Sequence, residues 1–188
     1  MSAMGGGDRE TIQTLRDCEA TQIPQGNSVV IPRGTTVIIT QALGGTYTVL
    51  TEGGYMLRIE SKDADAIGRT PEAVSDTDKD GKPLSLKDRI WAQLKTIYDP
   101  EIPVNIVELG LIYYCEASPR EEGDGYHVYI EMTLTAPGCG MGPVLQKDVE
   151  KKIASVEGVR SAEVKIVFEP QWDQSRMSEA ARLQLGFM

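Results

Sequence analysis

Apolar positions along the chain fall into two textures. From Ser28 the segments "SVVIP", "TTVIITQA", "TYTVLT" and "YMLRIE" are rich in Val, Ile, Thr and Tyr, and "RG", "LGG" and "EGG" separate them. Short β-branched and aromatic runs with turn signals at this spacing predict strands. The reading is a small antiparallel β-unit over residues 21–69. The residues before it, 1–20, are glycine-rich and then charged, and read as a flexible lead-in. Residues 70–83 carry two prolines, a glycine and many charges, and read as an acidic linker.

Beyond residue 84 the period changes. Ile90, Trp91, Leu94, Ile97 and Tyr98 recur at helical spacing. Ser85 stands where an N-cap is needed, and Asp88 takes the third helical position as an acidic capping-box partner. Pro100 and Pro103 end the helix. Alternation then returns, with Val107, Leu109, Leu111, Tyr113 and Cys115 on one face of a strand. "PREEGDG" is a hairpin turn, and Val128, Ile130, Met132 and Leu134 face inward from the next strand. A helix follows with Val144, Leu145, Val149, Ile153 and Val156 apolar. A third strand carries Val164, Ile166 and Phe168, and "SEAARLQL" is a short helical stretch in the tail. The expected fold class is α+β: an α-β-β-α-β module with a small sheet over residues 84–188, plus the small N-terminal β-unit.

Composition narrows the function. Of 188 residues, 40% are hydrophobic, enough for a core. No apolar run approaches the roughly 18 residues a membrane helix needs, and the first residues lack the apolar region of a secretory signal. Cys18, Cys115 and Cys139 lie far apart, which points to reduced thiols and a cytoplasmic protein. The net charge of −9, without a basic stripe, argues against nucleic acid and anionic membrane as partners. A single histidine, His127, removes most histidine-based catalytic and zinc-site designs.

Asp76, Asp78, Asp80 and Gly81 copy the first half of a calcium-binding loop. The twelfth position is Lys87 in place of the bidentate Glu, so a solvated linker is the better reading.

The chemistry concentrates in "TAPGCGMGP", residues 135–143. Cys139 sits between Gly138 and Gly140, with Gly142 and Pro143 close behind. Pro143 suits the first position of a helix, which places Cys139 just before a helix N-terminus. The helix dipole and free N–H groups there stabilise a thiolate. Such a thiol is a nucleophile, a soft-metal ligand, or a small residue in a tight turn. A phosphate cradle fits poorly. Proline replaces the last glycine of the dinucleotide fingerprint, and no Lys-Ser/Thr pair follows. His127 begins the strand that Cys139 follows and points away from its apolar face, so a Cys-His pair is not expected. The second unusual stretch is "DPEIPVN", where Asp99 and Glu101 flank Pro100. It is either a proline-locked polar turn or a carboxylate held near the thiol.

"DPEIPVNIVELGLIY", "TLTAPGCGMG" and "W…MSEAARLQLGF" together strongly resemble the SufT-type iron–sulfur cluster assembly proteins. That family is shared with cytosolic iron–sulfur targeting factors and with the accessory protein of phenylacetyl-CoA oxygenase systems. The resemblance covers roughly residues 84–187. "TQALGG" and "SKDADAIG" resemble the N-terminal extension of the SufT type. The resemblance implies a maturation role without a defined enzymatic reaction, with Cys139 as the functional residue that binds a cluster or metal. It maps the acidic motif onto Asp99, Pro100 and Glu101. The partners it implies are the assembly machinery and client apo-proteins.

An iron–sulfur cluster generally takes four thiolates. One well-placed cysteine per chain, Cys139, therefore implies transient ligation completed by a second chain in a homodimer, a small thiol or a client. A thiol-dependent enzyme using Cys139 and a non-metal adaptor are the alternative classes.

Overall fold

The computed structural model describes residues 10–71, 74–99, 101–138 and 140–187. The chain divides into two compact units, Met1–Ala73 and Val74–Met188.

The first unit is a six-stranded antiparallel sheet. Its strands are β1 (Glu10–Gln13), β2 (Cys18–Ile23), β3 (Ser28–Ile31), β4 (Thr36–Leu43), β5 (Thr46–Thr51) and β6 (Met56–Ile59), in the order β1-β4-β5-β6-β2-β3. Alternation sends Val37, Ile39, Tyr47, Val49, Leu57 and Ile59 to one buried face. Gly44 and Gly45 both take positive φ between β4 and β5, the backbone that a two-residue hairpin of matching twist requires. A 3-10 turn over Ser61–Ile67 lays Ala64, Ala66 and Ile67 on the core.

The flexible lead-in expected over residues 1–20 needs correction from Glu10 onward. Glu10–Gln13 pairs with β4, and Cys18 is only 3% exposed in the core. These strands carry few large apolar side chains, so the period-2 signal is faint. Pairing, together with Arg16 bonded to Asp63 and Asp65, holds them in place. Residues 1–9 of that lead-in lie outside the described residues.

The second unit has the expected order: α1 (Leu86–Leu94), β7 (Ile112–Pro119), β8 (Tyr126–Met132), α2 (Gly142–Ala154) and β9 (Val159–Ile166), then a tail with α3 (Glu179–Gln184). The class is α+β. Ser85 Oγ accepts the Asp88 N–H at 3.1 Å, so the N-cap is formed, and the Asp88 carboxylate accepts the Ser85 hydroxyl at 2.6 Å. β7 and β8 are antiparallel, while β8 and β9 are parallel and joined through α2. Ile90, Leu94, Leu145, Val149 and Ile153 share one core with Val128, Ile130, Met132 and Val164. Burying each such side chain contributes about 1.5–3 kcal/mol before the entropy of ordering is subtracted.

Three local expectations change. The strand expected from Val107 starts only at Ile112. Asn105 Oδ1 accepts the N–H groups of Val107 (3.1 Å) and Glu108 (2.9 Å), and this local turn competes with an extended backbone. Leu109 and Leu111 are still fully buried, which is why the alternation imitated a strand. At the other end of the module β9 stops at Ile166, leaving Phe168 half exposed. Residues 76–84 form a tight turn in place of an open linker. Asp78 Oδ1 accepts from Asp80 and Lys82, both at 2.9 Å, and Leu84 N–H reaches the Asp76 carbonyl at 2.8 Å. The carboxylate that imitated a calcium ligand is thus engaged by its own backbone.

The tail is strapped across the 103–113 segment. Trp172 Nε1 donates to the Leu109 carbonyl (2.7 Å), Tyr113 Oη to that of Pro170 (2.7 Å), and Ser178 N–H to that of Glu108 (2.8 Å). Met177 and Ala181 enter the core. Gly110 allows the close approach: a Cβ there would lie 2.2 Å from the Arg176 carbonyl oxygen.

Candidate functional site

The acidic turn follows α1. Ile106 N–H bonds to the Ile97 carbonyl (2.8 Å) and Asp99 N–H to the Val104 carbonyl (3.2 Å), pinching residues 97–106 into a loop closed at its base. Asp99 points inward and is 7% exposed. Its Oδ1 accepts the N–H groups of Glu101 and Ile102, both at 2.9 Å. Its Oδ2 accepts the Thr135 hydroxyl at 3.2 Å. Burial pushes the Asp99 carboxyl above its ordinary value, and these three donors oppose that shift only in part.

Thr135 opens the glycine-rich turn. Its bond to Asp99 unites the two motifs that the sequence alone leaves apart. Asp99, Glu101, Leu134, Thr135, Ala136 and Gly142 line one small cavity. Glu101 is exposed, and its carboxylate has no hydrogen bond or ion pair among the described residues. The two acids therefore differ: Asp99 is consumed in holding the loops, and Glu101 is left available. Thr135 was not among the expected site residues, although it lies within the quoted turn. A hydroxyl there has no periodic signature.

The turn's glycines also differ. Gly138 is exposed with φ of 80°, a conformation that favours glycine. Gly142 is buried against Leu134, where a Cβ would come within 2.9 Å of Cδ1. Gly140 is exposed. Cys139 and Pro100 lie outside the described residues. α2 begins at Gly142, one residue earlier than Pro143 suggested, and its N-cap Met141 supplies no side-chain hydrogen bond. The first turn of α2 contains no acidic residue, so no fixed negative side chain competes there for the positive end of the dipole.

The remaining cysteines sit elsewhere. Cys18 is buried in the core of the first unit, and half-buried Cys115 packs against the core of the second. Burial raises the pKa of both thiols. His127 lies on the outer face of β8, with Nδ1 2.7 Å from Ser161 Oγ and Nε2 3.8 Å from Glu163. No group of three or more His, Cys, Asp or Glu side chains suited to a metal ion occurs among the described residues. No helix among them is long and apolar enough to cross a membrane.

Residues 87–166 match the family model described as iron–sulfur cluster assembly protein. Over 105 residues, 56% of this chain, the sequence is 44% identical to the Fe-S protein maturation auxiliary factor of Porphyromonas gingivalis and covers 95% of that protein. It is 38% identical over 102 residues to the Fe-S protein maturation auxiliary factor YitW of Bacillus subtilis, covering 54% of this chain and 95% of the relative. An iron-sulfur cluster carrier protein of Deinococcus radiodurans is 29% identical over 79 residues, covering 42% of this chain and 21% of that protein. With an acidic turn and a glycine-rich turn joined through Asp99 and Thr135, and with these relatives, the chain belongs to the family of iron–sulfur cluster assembly proteins.

Proposed function

We propose that this protein is a maturation factor that helps deliver iron–sulfur clusters to apo-proteins, using Cys139 as thiolate and Glu101 as a supporting carboxylate. The observation that carries the reading is the Thr135–Asp99 hydrogen bond. It sets Glu101 and the two ends of the glycine-rich turn, Thr135 with Ala136 and Met141 with Gly142, around one cavity. Family membership supports the same reading. The Porphyromonas and Bacillus relatives are named maturation auxiliary factors, and the Deinococcus protein a cluster carrier.

The cluster is cargo, and the donor set suits a cargo. Four thiolates complete an ordinary site. Cys18 and Cys115 are committed to two different cores, which leaves one cysteine for ligation. A second copy, a small thiol or the client supplies the remaining thiolates. Glu101 is a harder oxygen donor than sulfur and fits a supporting part better than a permanent ligand. Incomplete ligation favours release, so the role is binding and transfer, carried out in the cytoplasm with the assembly machinery and client apo-proteins as partners. His127 is engaged by Ser161 on the outer sheet face, and this counts against its serving Cys139 as the base of a thiol enzyme.

Anaerobic reconstitution with ferrous iron and sulfide tests the reading. Cys139→Ser should abolish cluster binding, Cys18→Ser and Cys115→Ser should retain it, and Glu101→Gln should weaken it or slow transfer. A Cys139→Ser protein that binds iron and sulfide as well as the parent, and still matures clients, overturns the proposal.

A further inference from the structure

The small cavity opens beside a larger groove that also contains Glu101, Thr135 and Ala136. Ile102, Trp172 and Phe187 supply much of its apolar wall. Trp172 and Phe187 come from the tail, beyond the family-matched residues 87–166. The wall is preformed: Trp172 is bonded to the Leu109 carbonyl, and buried Met177 anchors the segment between them. Phe187 is 44% exposed at the rim. A preformed apolar groove saves the ordering cost of binding.

Its charge selects the occupant. The Glu101 carboxylate has no partner among the described residues, and an uncompensated carboxylate at the edge of an apolar wall favours a cation. A second copy of this chain carries a net charge of −9 and meets the groove with like charge. Glutathione is also anionic and has little apolar surface. We infer that the groove binds an extended segment of the client protein, in which a large apolar side chain stands beside a Lys or Arg. The apolar side chain lies against Trp172 and Phe187, the cation meets Glu101, and the segment runs toward the glycine-rich turn. This rests on the maturation reading above, and makes the groove the place where a client is held while its cluster arrives.

The test uses the full, cluster-free, 15N-labelled chain and synthetic ten-residue peptides with a central Leu-Lys pair in a Gly/Ser background. Titration should shift the Trp172 indole and the amides of Ile102 and Ala136. A Leu-Glu peptide should bind about tenfold more weakly, and a Ser-Lys peptide weakly or not at all. Phe187→Ala should weaken the Leu-Lys peptide about five- to tenfold, and Glu101→Gln about three- to fivefold. Both residues are exposed enough to be replaced without unfolding the chain. Equal binding of the Leu-Glu peptide overturns the inference. So do shifts confined to other surfaces, groove shifts that follow protein concentration without peptide, or shifts produced by glutathione and not by peptide. No cluster takes part, so a failure here leaves iron and sulfide binding through Cys139 intact. A failed reconstitution equally leaves this binding curve standing.

Discussion

Thr135 donates its hydroxyl to Asp99 Oδ2 across 36 positions of sequence, at 3.2 Å. The carboxylate it meets is buried and already holds the backbone of its own turn through Oδ1. Removing the hydroxyl leaves a desolvated oxygen without its donor. Thr135→Val should therefore cost about 1–3 kcal/mol in urea unfolding, and Thr135→Ser should restore most of it. If the two variants are equally stable, the bond contributes nothing to joining the loops.

Asp99 makes stability depend on pH. Its folded pKa is raised above the ordinary 3.8 by burial. Between those two values the folded protein binds more protons than the unfolded chain, so stability attributable to this group rises as pH falls through the window. Above it the buried carboxylate is a full cost, and below 3.8 the cost vanishes. Asp99→Asn keeps an acceptor oxygen for the two N–H groups and removes the charge. It should match or exceed the parent's urea midpoint at pH 7 and lose that advantage towards pH 4. A variant that is less stable at every pH would show that the charge itself is needed.

The three thiols should separate by reactivity. Burial holds the Cys18 and Cys115 thiols up and shields them. In sequence Cys139 precedes the N-cap of α2, Met141, by two positions, and a thiolate before a helix start is favoured. Iodoacetamide labelling against pH, read by peptide mass, should give Cys139 the fastest rate and the lowest apparent pKa. Faster labelling of Cys18 in the folded protein would contradict both its burial and the thiolate argument.

Gly110→Ala should loosen the tail. The added Cβ would meet the Arg176 carbonyl, and φ of 73° adds strain of its own. A cost of at least about 2 kcal/mol is expected, together with a red shift of Trp172 emission as the indole leaves the Leu109 carbonyl. Unchanged emission would mean that the strap tolerates the methyl group.

The two units should part under limited proteolysis. Cleavage is expected within residues 70–83, on the N-terminal side of the turn closed between Asp76 and Leu84, leaving a folded C-terminal fragment. Loss of all folded material on cutting would show that neither unit stands alone.

What could be read from sequence followed the strength of each local signal. Ser85, Asp88 and the Ile90/Leu94 stripe announced α1, because capping and amphipathic spacing act within one helix. Val128, Ile130 and Met132 announced β8, because period-2 alternation acts within one strand. Residues 105–111 misled, because Leu109 and Leu111 are buried in a turn whose geometry is set by the Asn105 side chain. β1 and β2 were missed because Ile12, Cys18 and Ala20 offer little apolar contrast, and their strands are held by pairing with distant partners. At the site, Asp99 and Glu101 stood out beside Pro100. That one would be locked inward and the other left outward depends on Thr135, which only the fold brings near.

The glycine-rich turn is fastened at both ends. Thr135 must stand where its hydroxyl reaches Asp99, and Gly142 where it clears Leu134. Each residue of α2 turns the helix by about 100°, so a register slip at Gly142 would swing Leu145, Val149 and Ile153 out of the core they share. Residues 135–142 thus have a fixed length, as a clasp does. An inserted or deleted residue would break one fastening or the other, and Thr135, Gly138 and Gly142 each limit the side chain their position accepts.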